Sequence, residues 1–276
     1  MWIISKGKEE VNMSLKVSII TSVWNNEATI EDAIKSVLSQ NYSDIEYIVV
    51  DGASKDGTVN IIKKYEDKIS TFVSEKDKGI YDGLNKGVSL ATGDIIGFLH
   101  SDDIYADENI ITEVVEAFKK NNTDSIYGDL VYVDKHDTSK IFRYWKSGEY
   151  SFKKLCNGWM PPHPTFFVKR EFYEKYGKFD LGFGIAADYD FMLRMLGKYK
   201  ISTSYLPKVL YKMRVGGASN RSLKNIIQKS REDIKALKNN GIGGIHTIIM
   251  KNISKIPQFL FKNKKNIFNK NIDFYQ

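Results

Sequence analysis

The sequence predicts an α/β fold: a Rossmann-like, mainly parallel sheet flanked by helices, then a smaller antiparallel part and a C-terminal helical extension. Two observations carry this prediction. Over the first hundred residues, short β-branched apolar runs alternate with segments whose apolar residues recur at helical spacing. Strand, helix, strand, helix in that order implies right-handed crossovers and a sheet covered on both faces. A third observation places function. Several strands end in polar or acidic residues, at the carboxyl edge where ligands bind in such sheets.

The first strand is KVSIITSV at 16–23, ending at WNNE, and the helix after it carries Ala28, Ile30, Ala33, Ile34, Val37 and Leu38 on one stripe. IEYIVVD at 45–51 is the second strand, followed by the turn GASKDG and a helix that begins near Asp56–Thr58. A third strand near 69–74 leads through EKDKG to a helix over 80–90, and a fourth, DIIGFLH at 94–100, runs into SDD. A helix at 107–120 follows. SIYGDLVYV and KIFRYW, separated by KHDTS, then read as antiparallel strands. Beyond PPHPTFFVK the pattern predicts helices at 170–176 and 186–196, the second with an acidic start that the backbone dipole favours. Strands at 200–205 and 208–214 precede RVGGASN, and from Ser222 a helix of roughly 17 residues runs to the break at Gly241–Gly244.

Composition sets the bounds. The 276 residues suffice for one large domain with an appendage, and 42% hydrophobic with 27% charged residues is ordinary for a globular chain. The single cysteine, Cys156, excludes an internal disulfide framework and a thiolate zinc site, and fits a reducing compartment. Residues 1–13 lack the apolar core of a signal peptide, and Met13 is an alternative start. No run approaches the ~18 to 20 apolar residues of a membrane span, so a cytoplasmic location is expected. The net charge of +7 is uneven: from Arg221 onward 12 Lys or Arg face 3 Asp or Glu, leaving a net of −2 on the first 220 residues. The expected division is therefore a domain over 14–220 and a basic helical extension over 221–276. Such a tail suits nucleic acid, an anionic membrane surface or simply a solvated helix face.

Asp102 and Asp103 end a hydrophobic strand, an expensive place for two adjacent negative charges. A divalent cation with a bound diphosphate would relieve the repulsion, since Mg²⁺ or Mn²⁺ needs only one or two carboxylates besides phosphate and water. The plainer alternative is a solvated loop or helix cap. Asp51 opens the turn DGASKDGT, where it either shapes the turn or accepts a hydrogen bond from a ribose or base. Neither GxGxxG nor GxxxxGK[ST] occurs, which argues against dinucleotide and P-loop sites.

Taken together, VSIITSVWNNEATIEDAIKSVLSQNY, EYIVVDGASKDGT, EKDKGIYDGLNKGVSLATGDIIGFLHSDD and AADYDFMLRM resemble family 2 of the inverting glycosyltransferases, which have the GT-A fold. The resemblance covers about residues 15–215 in the family's order. GIYDGLNKG, HPTFFVKREFYEKYGKFD and AADYDF are most similar to bacterial members that build O-antigen, capsule or other surface polysaccharide. It implies nucleotide contacts at Thr21, Asp51 and Asp77, with Lys78 close by. Asp102 matches the first acid of the family's DXD-type motif, beside the ribose, and Asp103 matches the metal ligand for Mn²⁺ or Mg²⁺. Asp188 matches the catalytic base, with Ala187 where the family usually has Glu, and Asp190 lies one step beyond. The implied reaction is inverting transfer from a nucleotide-sugar, a UDP-sugar first, to a glycan acceptor.

Less specific positions complete the expectation. Tyr81, Asp82, Trp159 and His163 are candidates for a sugar or acceptor pocket; Trp159 and His163 are as readily structural. Arg214, Gly216, Gly217 and Ser219 resemble the family's mobile segment over the diphosphate. The resemblance also implies a polyprenyl-diphosphate-linked acceptor, with the basic-apolar tail resting peripherally on the inner face of the cell membrane, and no nucleic-acid partner. Two competing classes are a nucleotidyltransferase, which predicts a Gly-rich basic loop where this chain has WNNEATIED, and an inactive glycan-binding domain.

Overall fold

A computed structural model describes residues 14–216 and 223–253. The first part alternates as read: β1 Val17–Val23, α1 Ile30–Leu38, β2 Ile45–Asp51, α2 Thr58–Lys63, β3 Thr71–Ser74, α3 Ile80–Leu90 and β4 Ile95–Phe98. β5 Ile104–Tyr105, α4 Ile110–Asn121, β6 Ser125–Val133, β7 Ile141–Trp145 and α5 Phe152–Cys156 follow. The chain continues through β8 Phe167–Lys169, α6 Arg170–Tyr176, α7 Ala187–Met192 and β9 Thr203–Arg214, then α8 Leu223–Asn240 and α9 Ile245–Ile253.

The described strands form one sheet in the order β3-β2-β1-β4-β8-β6-β9-β5, with β7 on β6. β3, β2, β1 and β4 are mutually parallel, and β8 turns the sheet antiparallel. The chain leaves β1 toward β2 and β3 on one side and returns to β4 on the other. The crevice between β1 and β4 is therefore the topological switch point. Across β1, β2 and β3, on one side of that crevice, the strand ends are flush: Val23 pairs with Asp51, and Asp51 with Ser74.

Both faces of the parallel part are buried. Along β1, Ile20 joins one core and Val17, Ile19 and Val23 the other, the period-two alternation that a strand imposes. Ile30, Ala33, Ile34 and Val37 of α1 cover one face; Gly83, Leu84, Gly87 and Val88 of α3 cover the other.

Two expected elements take another form, and β5, α5 and β8 have no counterpart in the sequence pattern. The two strands expected at 200–205 and 208–214 are one, β9, which runs parallel to β6 and absorbs Pro207 where the register shifts around Asp129. The helix expected over 186–196 is α-helical only to Met192 and continues as a π-helical turn, Leu193–Lys198. α8 and α9 are packed elements: Ala236, Leu237 and Ile242 belong to the same core as α7. None of the described helices is long and apolar enough to cross a membrane.

Candidate active site

The ends of β1, β2 and β3 form one wall. Asp51 is buried, and its carboxylate accepts the Ser54 amide at 3.0 Å and the Ser74 hydroxyl at 2.7 Å. The turn it closes puts Ala53 in the left-handed region (φ 60°), a strained choice for a residue with a Cβ. Asp77 leans over Gly52: a Cβ there would sit 2.6 Å from Asp77 Oδ2, so a side chain at 52 would push that carboxylate aside. Asp77 Oδ1 accepts the Gly79 amide at 3.0 Å, and Asp82 accepts the amide of the exposed Lys78 at 3.0 Å. Thr21 does not join this wall. It is fully buried and donates to the Leu99 carbonyl at 2.8 Å, so the hydroxyl expected at the nucleotide is committed to the sheet. Beside the wall stands Trp24, 65% exposed, a residue the sequence reading did not single out.

Past β4 the acidic pair divides. Asp102 is half-buried, whereas Asp103 has no exposed surface. Asp103 Oδ1 accepts the Arg214 amide at 3.1 Å, and its Oδ2 is buried without a hydrogen-bond partner. Burial first, then the neighbouring charge of Asp102, push the Asp103 carboxyl well above the usual carboxylate range. Arg214 fixes the pair from behind. Its guanidinium donates to the carbonyls of Asp102 (2.8 Å) and Lys135 (3.1 Å) and pairs with Asp32 at 2.6 Å. Arg214, expected in a mobile segment over a diphosphate, is instead a buried strut at the end of β9. Gly216 is exposed with φ 110°, while Gly217 and Ser219 lie outside the described residues.

Asp188 stands in the first turn of α7 and faces this pair across two histidines. Its Oδ1 accepts the Tyr189 amide at 2.8 Å and lies 3.2 Å from the Tyr81 hydroxyl, which also donates to the Ile185 carbonyl at 2.7 Å. Among the described residues, no donor reaches Oδ2. His100 and His163 lie with ring centroids 6.0 Å apart, and His163 also packs on Phe98 and Phe179. Burial lowers both imidazoles, His163 to about 4, against the pull of Asp188 on each and of Asp102 on His100. Tyr132, raised chiefly by burial, feels both Asp103 and Asp188. Residues far apart in sequence thus share one electrostatic neighbourhood. Nδ1 of His100 and Nε2 of His163 are buried without partners.

Two further residues weighed in the sequence have partners within the protein. Asp190 points away: it accepts from Asn240 at 2.9 Å and lies 3.4 Å from Arg194. Trp159 is an anchor, donating to the Ser147 carbonyl at 2.8 Å amid Tyr127 and Tyr150. Among the described residues, no three His, Cys, Asp or Glu side chains gather into a ready-made metal cage.

A parallel sheet flanked by helices, with acidic residues past its strand ends, is the arrangement of the GT-A fold. The chain belongs to glycosyltransferase family 2: the model of "Glycosyl transferase family 2" matches residues 18–177. An uncharacterized glycosyltransferase of Mycobacterium tuberculosis is 35% identical over 185 residues, 64% of this chain and 68% of its own. A PGL/p-HBAD biosynthesis glycosyltransferase of Mycobacterium bovis is 28% identical, covering 74% and 78%. In fold the chain is similar to Staphylococcus aureus TarS 1–349 in complex with UDP-GlcNAc (TM-score 0.66, 17% identity, 93% of this chain and 76% of that one). It is also similar to the Pyrobaculum calidifontis mannosyltransferase PcManGT in complex with GDP-Man and Mn²⁺ (TM-score 0.62, 16% identity, 89% and 70%).

Proposed function

We propose that this glycosyltransferase is cation-dependent and inverting, and that it moves a sugar from a UDP-sugar to a hydroxyl of a lipid-linked glycan in cell-surface polysaccharide assembly. The run of contacts from Asp188 through Tyr81, Phe179 and His163 to His100, two residues before the acidic pair Asp102 and Asp103, carries this reading. Nucleotide-sugars in two solved neighbours of the same fold support the donor class.

On the donor side, Asp51 and Asp77 line the strand-end wall, and the exposed indole of Trp24 offers a face for a base. The accessible Asp102 and the buried Asp103, whose Oδ2 lacks a partner, would together hold Mn²⁺ or Mg²⁺. The family resemblance assigns the ion to Asp103 alone; solvent access favours including Asp102. Bound there, the ion supplies neutralisation of the charge gathering on the departing diphosphate.

Asp188 is the general base. Oδ1 is held by Tyr81 and the Tyr189 amide, which leaves Oδ2 to take the proton of the attacking hydroxyl. Attack on the anomeric carbon from the side opposite the diphosphate inverts its configuration. The lipid-linked acceptor rests on the basic tail and on Ile227, Ile234, Ile249 and Ile253, which α8 and α9 leave exposed. A panel of nucleotide-sugars, assayed for turnover and thermal stabilisation with and without Mn²⁺, tests the proposal. Binding of no nucleotide in either condition would overturn it.

A further inference from the structure

Glu232 lies near the middle of α8, in a segment whose charge alone marks it as a solvated basic helix. Its carboxylate instead reaches back to the loop before α7 and accepts three successive backbone amides. Gly184 donates to Oε1 at 3.0 Å, and Ile185 and Ala186 donate to Oε2 at 2.8 and 2.9 Å. Gln228, one turn earlier, donates to Oε1 at 2.8 Å. Those three amides precede the first turn of α7, where no side chain caps the helix. Orphan amides at a helix start attract a carboxylate, and three such bonds fix the loop as a unit.

What that loop holds gives the contact its meaning. The Ile185 carbonyl accepts the Tyr81 hydroxyl, and the same hydroxyl lies against Asp188 Oδ1. Two elements remote in sequence, α3 and α8, therefore meet at Ile185 and fix the carboxylate three residues on. Burial opposes the Glu232 charge, but the bonds from Gln228 and the three amides outweigh it and lower its pKa. Other ties join α8 and α9 to each other and to α7: Asn240 to Asp190 at 2.9 Å, and the buried pair Lys251–Asp233 at 2.9 Å, with the Lys251 ammonium over the Tyr189 ring. Those bind the body of α7. Glu232 grips the three amides just before α7 begins.

We infer that Glu232 is a positioning residue for the catalytic centre: through the amides of Gly184–Ala186 it sets the place of Ile185, and so of Tyr81 and Asp188. The inference rests on Asp188 being the general base. It makes α8 part of the catalytic apparatus although α8 touches no reacting atom.

The test compares full-length Glu232→Ala and Glu232→Gln with the wild type, with Lys238→Ala as a control for lost charge on an exposed position of α8. Hydrogen exchange is followed over residues 184–190, and kcat and KM are measured for the best donor of the wild-type panel. In Glu232→Ala, amides 184–186 exchange faster, and kcat falls about 10- to 100-fold, as a displacement of about 1 Å at the base would produce. Donor KM and Mn²⁺–UDP binding stay at the wild-type values, and Glu232→Gln, which keeps one acceptor oxygen, loses less. Unchanged exchange at 184–186 overturns the inference, as does faster exchange with unchanged kcat. Equal loss of kcat and nucleotide binding also overturns it, because that is general loosening. A wild type that turns over no donor defeats the functional reading instead, and exchange at 184–186 then decides the tether by itself.

Discussion

The two walls of the site are built differently. The donor wall comes from neighbouring parallel strands, whose main-chain register sets Val23, Asp51 and Ser74 side by side. The base wall depends on side chains that reach in from afar: Tyr81 to the Ile185 carbonyl, Glu232 to the Gly184–Ala186 amides, and Asn240 to the Asp190 carboxylate. Arg214 braces the acidic pair from the end of β9, with its amide on Asp103 and its guanidinium on Asp102, Lys135 and Asp32. Ladders distribute position over many bonds, whereas tethers concentrate it in single residues. Single substitutions should therefore dissect the base wall while the donor wall yields only to changes at the ligand contacts themselves.

The sharpest separation comes from Asp188→Asn. It removes the base but keeps the acceptor atom for Tyr189, so transfer should fall about 10²- to 10⁴-fold with nucleotide affinity intact. Steady-state kinetics beside calorimetry checks this. Next is Arg214→Met, which strips three partners from the strut behind the acidic pair. Because Asp32 is half-exposed, the loss of stability should be about 2 kcal/mol rather than the larger cost of breaking a fully buried pair, and hydrogen exchange should quicken around Asp102 and Asp103 while the 184–186 amides keep their protection.

Glu46 offers a contrast at the opposite end of the parallel strands. Burial resists its charge, but bonds from Ser18, Thr92 and Lys16 prevail and bring its pKa to about 2. A depressed folded pKa stabilises above the unfolded value near 4.3, and that contribution is lost as pH falls through about 2. In urea titrations across this window, Glu46→Gln should flatten the acid limb, and it should leave donor KM at neutral pH unaltered. The smallest effect is expected from Asn240→Ala, where Asp190 keeps Arg194: about 1 kcal/mol of stability, with faster exchange confined to α7.

The same contrast explains what was legible in the sequence. The parallel half could be read because strands buried on both faces are continuous apolar runs, and their ends carry the acids. β5 with two residues and β8 with three are too short for any period to show. The division of Asp102 from Asp103 was hidden because adjacency makes them look alike, while the fold buries one and not the other. Thr21 misled for a related reason: a polar residue near a strand end can serve a neighbouring strand. Trp24 carries no sign in sequence that it is left exposed. Glu232 is likewise one acid in a basic helix until the fold brings three amides to it.

The central claim is that the acidic strand end binds the nucleotide with its cation while Asp188 acts only in transfer. Calorimetric titration of UDP with Mn²⁺ into Asp102→Asn and Asp188→Asn tests it most directly. The account predicts that Asp102→Asn loses the Mn²⁺-dependent binding and Asp188→Asn keeps it at wild-type affinity. Retained binding in Asp102→Asn, or its loss in Asp188→Asn, would contradict the account.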